Sequence, residues 1–216
     1  MEYLTPDIIL YAYRQGAFPM ADSARDMAVH FYRPVMRGLL SIPDLHIPKR
    51  LKRTVRQYPY RITFNTAFET VIDSCAKETP RRPKTWINAP IRDAFVELHH
   101  MGHAHSIECW AEDGAFAGGI YGLAIGRVFC GESMVSTARD ASKIALIHLC
   151  ARLKAGGFSI LDAQFTNDHL EQFGIYEMPQ EEYEHMIQTE MNHPADFLLD
   201  GTDERTLVDE YLHRRK

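Results

Sequence analysis

Apolar positions along the chain follow two rhythms. At helical spacing they predict helices over residues 6–15, 48–57, 66–75, 89–101, 141–154 and 179–191. The local punctuation agrees. Thr5, Pro6 and Asp7 open the first helix and Gly16 stops it; Asn88-Ala89-Pro90 opens the fourth and Gly102 ends it; Asp140 caps the fifth, which ends at Gly156-Gly157. Short or alternating apolar runs predict strands at 29–32, 60–64, 105–110 and 158–165. Ala17 to Met20 reads as an apolar turn and residues 77–84 as a loop. Thr166 is expected to cap a short helix that Gly174 ends, residues 175–178 to be extended, and the tail to carry one more helix from Thr202.

The densest patterning lies between Gly118 and Met134, where Gly118-Gly119-Ile120-Tyr121-Gly122 leads to a turn at Ile125-Gly126-Arg127 and a second apolar run ends at Gly131-Glu132-Ser133-Met134. This predicts two strands of a hairpin in the middle of a sheet. Glycine weakens a strand, so this cluster implies close approach of the backbone to something else, read here as a site with Glu132 beside it. From Gly102 onward the order is three strands, then helix, strand, helix, strand, helix. That order predicts an α+β fold whose mixed sheet is packed by helices.

Composition narrows the class. At 216 residues, 45% hydrophobic and 25% charged, the chain is an ordinary globular protein. No apolar run approaches the ~18 residues of a membrane span and no leader pattern opens the chain, which makes a cytoplasmic protein the expectation. Cys75, Cys109, Cys130 and Cys150 have no C-x-x-C spacing and read as reduced thiols. The net charge of −5 conceals a segregation: Arg33 to Arg61 holds eight basic residues against the lone Asp44, whereas Glu171 to the end holds twelve acids against four basic residues. A local basic block can meet phosphate although the whole chain is acidic, because that attraction is short-ranged at physiological salt.

Asp162 and Gln164 stand two apart on one expected strand and so face the same side. A carboxylate and an amide on a buried face need partners, and each can serve the other. His99, His100, His103 and His105 resemble a metal cluster, yet no acid or cysteine completes a recognised spacing and Gly102 divides them between two elements, so no metal is expected. The chain holds no G-x-S-x-G, P-loop or dinucleotide fingerprint.

Several stretches together resemble the leucyl/phenylalanyl-tRNA–protein transferases. They are Tyr13-Arg14-Gln15-Gly16-Ala17-Phe18-Pro19, Thr85-Trp86-Ile87, Gly102-His103-Ala104-His105-Ser106-Ile107-Glu108, Gly118-Gly119-Ile120-Tyr121-Gly122, Phe129-Cys130-Gly131-Glu132-Ser133-Met134, Ala141-Ser142-Lys143 and Asp162-Ala163-Gln164. The resemblance implies a small N-terminal domain over 1–36 and a larger domain over 37–216 similar to the GNAT acyltransferase fold. It implies transfer of leucine or phenylalanine from aminoacyl-tRNA to proteins that begin with arginine or lysine, marking them for degradation, by a monomer that needs no cofactor. By similarity, Asp162 polarises Gln164, whose carbonyl oxygen holds or deprotonates the attacking amine, and Glu132 helps place substrate. The donor side chain is expected among Ile120, Phe129, Met134, Leu146 and Leu161. The tRNA is expected to meet Trp86, the helix residues Lys49, Arg50, Lys52 and Arg53, and the loop residues Arg81 and Arg82. Met20, Phe31-Tyr32, Val135 and Leu149 depart from the family's usual aromatic residues, on the side that receives the aminoacyl-adenosine. Two rival readings stand beside it: the same reaction with a changed specificity, an arginine donor or an Asp or Glu acceptor, and a GNAT-type coenzyme A-dependent acyltransferase, whose pyrophosphate turn needs glycines that 136–140 lacks.

Overall fold

The computed structural model describes residues 4–80 and 82–213, so the expected phosphate contact Arg81 lies outside the described residues. In chain order the elements are α1 (Pro6–Arg14), β1 (Phe18–Met20), β2 (His30–Tyr32), β3 (Met36–Leu40), α2 (Lys49–Val55), β4 (Arg61–Phe64), α3 (Phe68–Ala76), α4 (Ala89–His100), β5 (Ala104–Trp110), β6 (Phe116–Ile125), β7 (Val128–Ser136), α5 (Ala141–Ala155), β8 (Ile160–Gln164), α6 (Asp168–Glu171), β9 (Tyr176–Pro179), α7 (Gln180–Glu190) and α8 (Glu204–His213). The seven longer-range strands form one mixed sheet in the order β4-β5-β6-β7-β8-β3-β9, and β1 pairs with β2 in a separate ribbon. The hairpin expected at 118–134 is β6–β7, at the centre of that sheet.

Helices cover both faces of the sheet. One core joins α5, α2 and α8 to residues such as Ile107, Ile120 and Phe129. The other joins α1, α3, α4 and α7 to Tyr121, Leu123 and Cys130. Tyr121 and Ile120 are neighbours that serve opposite cores, as the two-residue period of a strand requires. Helix α5 is buried nearly all round, which is why its sequence shows little amphipathic contrast.

Four local expectations are corrected. Residues 18–20 form a strand rather than a turn, because β2 supplies ladder partners from Phe18↔Tyr32 to Met20↔His30. Strand β3 was not anticipated; it lies between β8 and β9 and carries Arg37 into the interior. Asp140 does not cap α5: Ser136 Oγ accepts the Ser142 N–H at 2.8 Å, and the Asp140 carboxylate turns to Arg50 and Lys143. Asn167, not Thr166, caps α6 by accepting the Leu170 N–H at 3.0 Å, while the Thr166 hydroxyl donates to Glu177.

The glycine cluster has two separate causes. At Gly122 a Cβ would fall 2.3 Å from the Cys130 carbonyl oxygen and 2.4 Å from the Phe129 ring, so this glycine serves the packing of the hairpin itself. Gly131 has no atom nearer than 3.7 Å to such a Cβ, and it lines open space. That space follows from the strand order. Parallel strands β7 and β8 pair at Val128↔Ile160, Phe129↔Leu161 and Cys130↔Asp162 and no further, although β7 runs on to Ser136 and β8 to Gln164. Beyond Cys130 and Asp162 the two strands part.

Candidate active site

A cavity of about 630 Å³ occupies the parting, lined by Gly131, Glu132, Ser133 and Met134 on one side and by Leu161, Asp162, Ala163 and Gln164 on the other. Leu40, Ile120 and Leu146 add apolar wall, and Asn167, Asp168, His169 and Leu170 complete the rim. Four of the five residues expected around the donor side chain are therefore brought together: Ile120, Met134, Leu146 and Leu161. Phe129 is not. It is 1% exposed and is held in the α5-side core, stacked on Phe197 and edge-on to Phe158.

Asp162 lies at the bottom of the parting, fully enclosed. Its Oδ1 accepts Arg37 Nε at 2.8 Å and the Gln164 backbone N–H at 2.9 Å. Its Oδ2 accepts an Arg37 terminal nitrogen at 2.5 Å and the Tyr183 hydroxyl at 2.7 Å. Arg37 and Asp162 side chains are both 0% exposed, and a buried charge of either sign needs such a partner. The remaining Arg37 nitrogen donates to the Gly16 carbonyl at 3.0 Å. The guanidinium also lies over the rings of Phe18 and Tyr183, 4.7 and 4.4 Å from their centroids.

The expected pairing of Asp162 with the Gln164 amide takes a different form. Asp162 holds Gln164 by its backbone, and Gln164 adopts a left-handed φ of 58°, a costly geometry for a residue with a Cβ. The turn swings the Gln164 side chain to Glu132, where Nε2 donates to Oε1 at 3.2 Å. The same Oε1 accepts the Tyr13 hydroxyl at 2.7 Å. Glu132 Oε2 and the Gln164 carbonyl oxygen carry no bond among the described residues, and neither is sealed from solvent. Burial pushes the Glu132 carboxyl up to about 8, the Tyr13 bond and Arg37 opposing the rise and Asp162 adding to it.

The expected tRNA contacts are scattered. Lys49, Arg50 and Arg53 are exposed on α2 and Lys52 is half-buried, with Leu51 and Val55 anchoring the helix. Arg50 reaches Asp140 at 3.0 Å, tying the basic helix to the start of α5 beside the cavity. Arg82 bends back to donate to the Ser74 and Lys77 carbonyls. Trp86 is half-buried against the α1–α4 core and does not line the cavity. Two of the four histidines are engaged in framework contacts: His99 bonds the Ala104 carbonyl and stacks on Phe68, while His105 meets Asn65 and stacks on Phe197, burial pushing it down to about 3.

Arg37, Tyr13 and Tyr183 were not anticipated as site residues. Arg37 was counted in the basic block facing phosphate. The signal for it is a lone arginine opening an apolar run, Arg37-Gly38-Leu39-Leu40, in a chain whose expected strand aspartate Asp162 has only a neutral amide beside it.

Comparison with known proteins defines the class. The family model for the leucyl/phenylalanyl-tRNA protein transferase matches residues 39–188, and that for the N-terminal domain of the same enzyme matches 3–34. The leucyl/phenylalanyl-tRNA–protein transferase of Rhodopseudomonas palustris (strain TIE-1) is 47% identical over 90% of this chain and 86% of its own length. That of Caulobacter vibrioides (strain NA1000 / CB15N) is 48% identical over 89% of this chain and 88% of its own. Among solved structures, L-PGS from Bacillus licheniformis aligns at 13% identity and a TM-score of 0.40, covering 75% of this chain and 51% of that one. The protein is an aminoacyltransferase, an enzyme that moves an aminoacyl group from tRNA to protein. It belongs to the leucyl/phenylalanyl-tRNA–protein transferase family. Among the described residues no helix is long and apolar enough to cross a membrane.

Proposed function

We propose that this enzyme transfers leucine or phenylalanine to proteins beginning with arginine or lysine, and so marks them for degradation, acting as a monomer in the cytoplasm. The observation that carries the reading is the make-up of the cavity. Its wall at Ile120, Met134, Leu146 and Leu161 is apolar, and its polar edge offers two open acceptor oxygens, on Glu132 and Gln164. An apolar wall suits a leucyl or phenylalanyl side chain, with selection limited because one methylene is worth about 1–3 kcal/mol. Open acceptor oxygens suit an amine, and the Asp168 carboxylate at the rim favours a cationic newcomer over an acidic one.

Amide formation from an ester needs no redox or metal chemistry by its atom balance, and positioning supplies most of the rate. In this reading the Gln164 carbonyl oxygen accepts a hydrogen from the attacking amine. Glu132 orients it by accepting the Gln164 NH2, and Asp162 contributes by fixing the Gln164 backbone. Helix α2 would lead the tRNA acceptor end to the cavity through the Arg50–Asp140 junction. Trp86 would stack on it from the other core. We also read the fold as GNAT-like with a small N-terminal domain, which the two family models, ending at 34 and resuming at 39, support.

The test is a transfer assay with tRNA charged in turn with labelled Leu, Phe, Met and Arg and with peptides beginning Arg, Lys, Asp or Glu. Label passing from Leu or Phe to Arg- or Lys-starting peptides is the expected result. Passage to Asp- or Glu-starting peptides, or from Arg, would overturn the specificity and keep the reaction.

A further inference from the structure

Two titratable groups of the cavity wall are poorly suited to take a proton from substrate. Asp162 accepts four hydrogen bonds, two on each oxygen, and is 0% exposed, so no lone pair faces the cavity. His169 is held low by burial and by Lys143, and its Nε2 is sealed from solvent. Gln164 can accept a hydrogen bond, but a neutral amide does not keep a proton at neutral pH. Glu132 differs from all three. Its Oε1 is fixed from two directions, by Tyr13 from α1 and by Gln164 from β8, while Oε2 stays open to the cavity.

Resting on the reaction read above, we propose that Glu132 takes the proton from the acceptor's ammonium group, and that Tyr13 is the positioning residue that aims its open oxygen and sets how readily it ionises. Tyr13 is 0% exposed and makes this bond from a different element, α1, so the contact is held by the packing of the fold. The remaining groups facing Glu132 are Arg37 from β3, Asp162 from β8, Tyr121 from β6 and Cys130 from its own strand. Arg37 is already committed to Asp162, so Glu132 has two neutral donors, Gln164 Nε2 at 3.2 Å and the Tyr13 hydroxyl at 2.7 Å, of which the Tyr13 bond is the shorter.

The proton count closes. Ionised Glu132 removes one proton from the ammonium, leaving a neutral amine whose lone pair attacks the ester carbonyl. The new C–N bond forms and the carbonyl oxygen takes the negative charge. As the C–O bond to the ribose breaks, protonated Glu132 gives its proton to the departing ribose oxygen and takes the second proton from nitrogen. The amide and a free ribose hydroxyl result, and Glu132 then loses its proton to solvent. A group held near the pKa of a free α-amine, about 7.7–8.0, is matched to both directions of this traffic. The rise of Glu132 to about 8 agrees with that.

The experiment is the pH dependence of kcat/KM between about pH 6 and 9 for the wild type, Tyr13→Phe, Glu132→Gln and His169→Gln, with one charged tRNA and one acceptor peptide throughout. The acceptor amine also titrates in this range, but it is the same in every curve, so a difference between variants belongs to the enzyme. Tyr13→Phe removes a bond that favours the anion, so its rising limb is expected at higher pH, by about half a unit or more, with the melting temperature little changed. Glu132→Gln is expected to lose about a hundredfold or more and to retain only the limb of the acceptor amine. A Tyr13→Phe limb that does not move would overturn the role of Tyr13. A Glu132→Gln loss under about tenfold, or disappearance of the limb in His169→Gln, would overturn Glu132 as the proton acceptor. Wild-type protein that transfers from no charged tRNA would overturn the reaction itself, and this inference with it.

Discussion

Asp162 and Glu132 lie on neighbouring strands at the point where those strands part, yet their surroundings are opposites. Asp162 meets a guanidinium, a phenol and a backbone N–H, and both of its oxygens are filled. Glu132 meets two neutral donors on one oxygen and open space on the other. Placing two carboxylates in unlike environments assigns them unlike tasks. The sealed one fixes geometry: it ties β3, β8 and α7 together and reaches α1 through the Arg37 contact with Gly16. The open one is left free to exchange a proton. The N-terminal segment touches both, Gly16 through Arg37 and Tyr13 through Glu132, so it is part of the site rather than a flanking unit.

The comparison can be broken most severely at Arg37. Arg37→Met leaves a fully buried carboxylate without its partner, and a loss of about 3–5 kcal/mol in unfolding free energy is expected from urea titration. The double variant Arg37→Met with Asp162→Leu is expected to recover most of that stability while transferring nothing, because the Gln164 backbone has lost its anchor. Full stability in Arg37→Met alone would mean the pair is not what locks this end.

Glu132→Gln is expected to show the reverse profile, with rate lost and stability kept or gained. A carboxyl raised from 4.5 to about 8 binds its proton more tightly folded than unfolded. The unfolded chain therefore holds fewer protons than the fold across that window, and stability falls as pH rises through it. Glu132→Gln removes this loss, so its advantage over the wild type is expected to be larger at about pH 8 than at about pH 5 in parallel urea titrations. An equal difference at both would mean that Glu132 is not raised.

Smaller effects test the cavity's two approaches. Leu146→Ala removes three carbons from the apolar wall and is expected to shift the ratio of kcat/KM for phenylalanine over leucine by a factor of about 10 or more, since even one methylene is worth about 1–3 kcal/mol. Lys52→Ala with Arg53→Ala is expected to weaken tRNA binding and to reduce the slope of log K against log salt by about 2. An unchanged slope would take α2 out of the interface.

The sequence alone carried the secondary structure where local rules act alone. Thr5 and Asn88 cap their helices as expected, by accepting from Ile8 and Ile91. The β6–β7 hairpin is legible because its turn and alternation are local. The motifs also carried the family, because stretches such as Gly131-Glu132-Ser133-Met134 are contiguous in the chain and can be read without the fold. What distance in the chain separates, the sequence could not show. Arg37 and Asp162 are 125 residues apart, and Tyr13 and Glu132 are 119 apart. Which arginine is interior and which faces solvent depends on whether β3 enters the sheet, and a five-residue strand with one charge at its second position carries no local mark of that. Phe129 makes a related point: its apolar character fits a pocket as well as a core, and its packing against Phe158 and Phe197, far off in the chain, puts it in the core. Residue types fixed which chemistry was available, and the tertiary structure decided which carboxylate was closed off by charge pairing and which kept an oxygen open, because burial and partner count are set only when distant strands meet.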